Sequence, residues 1–284
     1  MSITSLGSDP GTANATYLAD TKNEQTSATK WAKTNAQVQA DITYFQAQAP
    51  KLTTADALMK DYRSLKIVLG AYNVSDLLSY PALTKQLLTQ NPNSSSSVAQ
   101  KIANPTYQKF AMAFNQFQNK PLSTASNVTT IVNNYVLNNY EAAQNTQTSG
   151  IQNALAFTRA ASKITTIAQL MSNTSALAVA VGQTGINFTT YANMSYDQQV
   201  SFLTNKIKLS DFQSQAKVTK MAEQYLIQAV GDPTNWNATT AATTTVLSLF
   251  GGSASTSILS LFGGGSSNSS STTSSTDPTV SLFA

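Results

Sequence analysis

Apolar positions fall at helical spacing in segment after segment of this chain, and one of those segments returns. Phe45 to Val74 recurs without a gap at Phe157 to Ile186, 112 residues later. Phe45 aligns with Phe157, Lys51-Leu52-Thr53-Thr54 with Lys163-Ile164-Thr165-Thr166, and Leu58-Met59 with Leu170-Met171. Leu65, Ile67, Leu69 and Gly70 then meet Leu177, Val179, Val181 and Gly182. A long constant offset that keeps both polar and apolar types is the signature of a duplicated structural unit.

Within each copy the pattern predicts two helices in succession. Thr53 with Asp56 resembles a capping box that opens a short helix, and Thr166 with Gln169 is its counterpart. Asp61 and Asn173, equivalent by the offset, are strong N-cap residues and open the second helix. Its stripe is Tyr62, Leu65, Leu69 and Tyr72 in the first copy, and Leu177, Val181 and Gly182 in the second. Asn73 and Gly185 then stop it, because Asn and Gly most readily take the left-handed conformation after a helix, with Val74 and Ile186 as the apolar contact beyond.

Around these copies the remaining pattern is also helical. Residues 1–16 are polar and predict a flexible arm. Trp31, Val38, Ile42 and Phe45 predict one long helix from Tyr17 to Ala49, ended by Pro50. Leu77, Leu78, Leu83, Leu87 and Leu88 suit a helix interrupted near Pro81. A loop over 91–97, a helix from Val98 and an aromatic helix with Tyr107, Phe110, Met112 and Phe114 close a first unit, 17–120. After Pro121, the stripe Val128, Ile131, Val132, Tyr135, Val136, Tyr140 predicts a helix that opens a second unit, 121–230, and continues through Gly150. Alternation of the strand type is absent. The predicted fold is all-α: two tandem, duplicated helical units with long connecting helices, plus a low-complexity C-terminal tail.

That tail, 231–284, is rich in Ser, Thr and Gly, a composition that cannot bury a core. It nevertheless carries apolar beads. Val246, Leu247, Leu249 and Phe250, followed by two glycines, return twelve residues later as Ile258, Leu259, Leu261 and Phe262. Each bead fits one helical turn with a glycine stop that docks back on the body, or a linear motif for a protein partner or a sister subunit. Contact with a membrane surface is a third reading, disfavoured by the lack of basic residues. These eight residues are the candidate interaction site; Asp61, Asn73, Asn173 and Gly185 are structural candidates.

Composition narrows the chemistry. The chain has no Cys and no His, which removes disulfides, thiol nucleophiles and imidazole bases. Asp56 and Asp61 are the closest carboxylate pairing, yet each has a capping role and their spacing does not converge on one helical face. No phosphate loop or activated serine pattern is present, so neither enzyme activity nor a cofactor is expected. The net charge is +4, but the lysines are scattered and Arg63 and Arg159 are the two arginines, a solvated face rather than a nucleic-acid surface. No apolar run reaches transmembrane length, and the first residues lack the pattern of a cleaved signal. The chain is therefore expected either in the cytoplasm or exported without a cleaved signal.

Leu58-x-x-Asp61-x-x-x-Leu65-x-x-x-Leu69-x-Ala71-Tyr72-Asn73-Val74, followed by Asn104-Pro105-x-Tyr107-x-x-Phe110-Ala111-x-Ala113-Phe114, resembles the bacterial domain-of-unknown-function family 1217. Lys208-Leu209-Ser210-Asp211-Phe212 is similar to that family's later pattern. Members occur mostly in alphaproteobacteria and often sit among flagellar genes. The resemblance thus implies a flagellum-linked role with protein partners, flagellar components or self-association, and brings no catalytic residues. Asn73 stands where the family usually has Gly. A Cys-free, His-free, Asn/Gln/Ser/Thr-rich helical chain is also similar in composition to axial flagellar proteins. A cytoplasmic helical adaptor or chaperone for flagellar or export components is the alternative expectation.

Overall fold

Asp9 starts the first helix of the computed structural model, which describes residues 9–102 and 104–232. Its carboxylate accepts from the backbone N–H of Gly11 at 2.9 Å and of Thr12 at 3.1 Å, and Pro10 supplies a preset φ at the first helical position. Helix α1 (Pro10–Thr34) therefore begins inside the expected arm, and 1–8 lie outside the described residues. The expected long helix is two. Asn35 leaves the helical region and its side chain accepts from the Val38 N–H at 3.0 Å, so it ends α1 and caps α2 (Ala36–Gln48).

A 3-10 turn over Ala49–Lys51 leads into α3 (Ala55–Lys60) and α4 (Tyr62–Ala71). After a second 3-10 turn come α5 (Pro81–Thr89), α6 (Val98–Ile102), α7 (Pro105–Phe114) and the long α8 (Ala125–Gln147). Helix α9 (Ile151–Ala160), a 3-10 turn over Ala161–Lys163, α10 (Ile167–Ser172) and α11 (Thr174–Gln183) follow. Then α12 (Phe188–Ala192), α13 (Tyr196–Lys206) and α14 (Gln215–Gly231) end the described chain. The fold is all-α, with no strand among the described residues. Between 49 and 71, and again between 161 and 183, every element boundary repeats at the 112-residue offset.

Local chemistry explains the repeated boundaries. Thr54, not Thr53, caps α3 by accepting from the Ala57 N–H at 3.1 Å. It matches Thr166, which caps α10 in a full capping box with Gln169. At Thr54 no box forms, because the third position is Ala57, whose methyl cannot reach back. Asp61 and Asn173 cap α4 and α11 through the N–H groups of Ser64 and Ala176. Asn73 has φ 56° and Gly185 φ 78°, as expected. At Asn73 the N–H groups of Val74 and Asn73 bond back to the carbonyls of Leu69 (3.0 Å) and Gly70 (3.2 Å), closing the helix end in a Schellman motif. Tyr62 is not part of the buried stripe: it is 65% exposed, and Ile67 and Val68 turn inward instead.

The helices enclose two apolar clusters. The first gathers Phe45, Leu58, Val68, Leu69, Leu87, Phe110 and Phe114 with Ile131, Tyr135 and Tyr140 from α8. Helix α8 thus completes the first core, although it was expected to open the second unit. The second cluster holds Ile151, Phe157, Leu170, Val179, Val181, Phe188, Phe212, Tyr225 and Leu226. The helix expected through Gly150 breaks there, because Gly150 has φ 86°. A Cβ at Gly150 would also sit 2.5 Å from the Ala229 Cβ, so α14 approaches where only glycine fits. Helix α1 serves both clusters: Tyr17 is buried in the second, Ala28 and Ala32 in the first.

Candidate functional site

Buried polar contacts between helices are the most distinctive chemistry of the body. In the first core Asp41 on α2 is 5% exposed. Its carboxylate accepts from the Arg63 Nε of α4 at 2.8 Å, from the Tyr135 hydroxyl of α8 at 2.8 Å, and from the Gln37 amide at 3.1 Å. The Arg63 guanidinium also lies over the Tyr44 ring, 4.6 Å from its centre, and the Tyr44 hydroxyl donates to the Asp61 carboxylate at 3.1 Å. Burial, followed by the Asp41 bond, pushes the Tyr135 hydroxyl well above its ordinary pKa, so it stays a donor.

The second core has a joint at matching positions. Asn153 and Ser175 stand 112 residues beyond Asp41 and Arg63. Ser175 donates to the Asn153 side-chain oxygen at 3.0 Å, and the Asn153 amide donates to the Tyr225 hydroxyl of α14 at 2.9 Å. Three helices meet at a tyrosine in both cores, with an ion pair in one and neutral groups in the other.

Between the cores α1, α8 and α9 share a third polar centre. Arg159 of α9 touches Glu24 of α1 at 2.6 Å and also touches Glu141 of α8, which is fully buried. One turn along α1, the buried Asp20 accepts from the Tyr140 hydroxyl at 2.7 Å. Two carboxylates therefore share one guanidinium, with Asp20 close by on α1 and bonded to Tyr140. Burial raises the pKa of Glu141 far above the carboxylate range against the opposing pull of Arg159, and Glu24 raises it further. Burial raises Asp20 in the same sense, and the Tyr140 hydroxyl is pushed up to about 12.

The residues singled out from sequence divide into two sets. Asp61, Asn73, Asn173 and Gly185 sit at helix ends, and the structure does not bring them into one site. Asp56 is exposed and pairs with Lys85 at 2.9 Å. The tail residues Val246, Leu247, Leu249, Phe250, Ile258, Leu259, Leu261 and Phe262 lie outside the described residues. Sequence reasoning missed Asp20, Glu24, Asp41, Glu141, Arg63 and Arg159 as partners. The available signal was the scarcity of arginine, since both arginines meet a buried carboxylate. A shallow hollow of about 260 Å³ lies beside Gln183, Gln224, Ile227 and Gln228 and gathers no ionisable group. Among the described residues no three acidic side chains are placed to share a metal ion, and no helix is long and apolar enough to cross a membrane.

Fold and polar joints together define an all-α protein with two apolar cores bridged by one long N-terminal helix. The chain belongs to the family described as protein of unknown function (DUF1217), which matches residues 71–218. Its fold is similar to the crystal structure of an Agrobacterium tumefaciens protein determined as a structural genomics target. That likeness has a TM-score of 0.64 and 19% identity, and covers 80% of this chain and 97% of the other. No curated protein matches the chain.

Proposed function

We propose that this protein is a non-enzymatic interaction protein of the bacterial flagellum, a rigid helical body that carries its contact element in the tail. The observation that carries this reading is the use made of the body's buried carboxylates and of its two arginines, which are partly exposed. Asp20, Asp41, Glu141, Arg63 and Arg159 join helix to helix, and Asp61 caps a helix while holding Tyr44. Groups engaged in this way build a scaffold rather than approach a substrate. The flagellar setting rests on the family resemblance. The tail role rests on the repeated beads, each of which offers a few apolar side chains worth roughly 1.5–3 kcal/mol when fully buried. Two such beads on one polar chain would act together through effective concentration.

We also infer that the body arose by duplication of one helical unit. The repeated boundaries between 49 and 71, the paired caps, and the matched joints at Asp41 and Asn153 support that origin. The functional reading is tested by ending the chain after Val230. Melting of the purified body and its co-sedimentation with sheared flagellar fractions are then compared with those of the full chain. Unchanged melting with lost co-sedimentation is expected. A full chain that stays in the cytosol with export components favours the adaptor or chaperone reading. A truncated body that melts earlier and still co-sediments contradicts the tail role.

A further inference from the structure

The hollow at Gln183, Gln224, Ile227 and Gln228 has one wall on the outer face of α14. Gln224, Ile227 and Gln228 fall at three- and four-residue spacing, hence on one side of the helix, while Tyr225, Leu226 and Ala229 turn into the second core. Gln183, at the end of α11, closes the other side, and its amide donates to the Met221 carbonyl of α14 at 2.7 Å. This surface is unfinished in two respects. Ile227 is a large apolar side chain left 47% exposed. Gln228 has a buried side-chain oxygen that accepts no hydrogen bond, a group whose desolvation goes uncompensated.

We propose that the hollow is the seat of Trp236 of this same chain, which pins the tail to the body at its root. At about 260 Å³ the hollow is smaller than small-molecule sites, which run ~300–1,000 Å³. It suits one bulky side chain. Indole meets both needs of the surface: its face covers Ile227, and its Nε1–H, a donor without an acceptor, is what the Gln228 oxygen lacks. A charged occupant would find no counterion, because no ionisable group lines the hollow.

The course of the chain leads there. Helix α14 ends at Gly231, one turn beyond Ile227 and Gln228, and 233 onward lie outside the described residues. Asp232 has left helical geometry, with φ −141° and ψ 77°, and Pro233 cannot continue the helix. Trp236 comes four residues after Asp232, and an extended stretch of that length spans at most ~14 Å. Back along the helix Ile227 is ~7.5 Å and Gln224 ~12 Å from Asp232, so both are within reach. Trp236 is also the one aromatic side chain between 233 and 242. The contact concerns the root of the tail and holds whatever the beads bind.

The hollow is shallow and one ring adds little to the melting of the whole body, so fluorescence is the reading. Trp31 and Trp236 are the only tryptophans, and Trp31→Phe leaves Trp236 as the sole indole of the full chain. Its emission is expected at shorter wavelength than in the urea-unfolded chain, with quenching by iodide several-fold weaker. Ile227→Lys should undo both effects and Gln228→Met should weaken them, with the far-ultraviolet circular dichroism of the parent retained. Should Trp31→Phe disturb the first core, where Trp31 packs on Tyr140, the difference between the parent and Trp236→Phe gives the same spectrum. Water-exposed emission from Trp236 in the folded chain overturns the proposal. So does a blue shift that Ile227→Lys or Gln228→Met leaves at the parent level, or one that grows with protein concentration and thus reports a second copy.

Discussion

Asp41, Arg63 and Tyr135 in the first core stand against Asn153, Ser175 and Tyr225 in the second. Each set ties two helices to a third, longer one, α8 or α14. In the first, a nearly buried carboxylate takes three hydrogen bonds, one from a guanidinium. In the second, an amide accepts one and donates one. The common requirement is a satisfied polar contact where three helices meet, because an orphaned group there costs its full desolvation. Charge is an option that the first core takes. Its consequence is dependence on a partner, since a buried charge that loses its counterion is far more costly than a neutral group that loses a hydrogen bond.

Removing counterions should therefore separate the charged contacts from the neutral ones. Arg159→Met strips the guanidinium from Glu24 and Glu141 together and should cost about 3–5 kcal/mol in urea unfolding near neutral pH. Its loss should be much smaller at acid pH, where Glu141 is protonated in either state. An equal loss at both pH values would refute the electrostatic origin.

Glycine positions sharpen the comparison at the backbone level. Gly150 and Gly185 both have positive φ, but a Cβ at Gly150 collides with Ala229 and Tyr225, whereas none would touch anything within 4 Å at Gly185. Gly150→Val should cost more than about 3 kcal/mol, from strain plus overpacking, and Gly185→Val about 1–3 kcal/mol from strain alone. Urea melts of the two variants check the order, and reversed values would show that the approach of α14 is not limiting.

At the neutral joint the smallest change is expected. Ser175→Ala removes one hydrogen bond to Asn153 and should cost about 1 kcal/mol, within the range of an ordinary side-chain bond. A loss above about 3 kcal/mol would mean that the second joint behaves like a charged one.

What could be read from sequence was the chemistry that acts within a few residues. Asp61, Asn173, Asn73 and Gly185 announce helix ends because each acts on its own backbone. The all-α pattern and the 112-residue offset follow from such local marks. The start of α1 was hidden because only Ala13 and Tyr17 in its first turns are buried, too few to show a stripe. Its end was hidden because Trp31, Val38 and Ile42 keep helical spacing across Asn35. The polar contacts left no trace in the sequence beyond the scarcity of arginine. Asp41 meets Tyr135 94 residues away and Arg159 meets Glu24 135 residues away, and nothing local marks either pair. Sequence placed α8 with the second copy by adjacency, while packing assigns it to the first core.

The equivalence of the two joints is tested most directly by giving the first core the residues of the second. Asp41→Asn, Arg63→Ser and the double variant form a cycle read by urea unfolding. Each single change leaves a polar group without its partner and should cost about 2–4 kcal/mol. The double change restores the neutral pairing seen at Asn153 and Ser175 and should return the protein to within about 1 kcal/mol of the parent, a coupling of several kcal/mol. A double variant that loses the sum of the two single losses would contradict the account, since the two cores would then not share one joint.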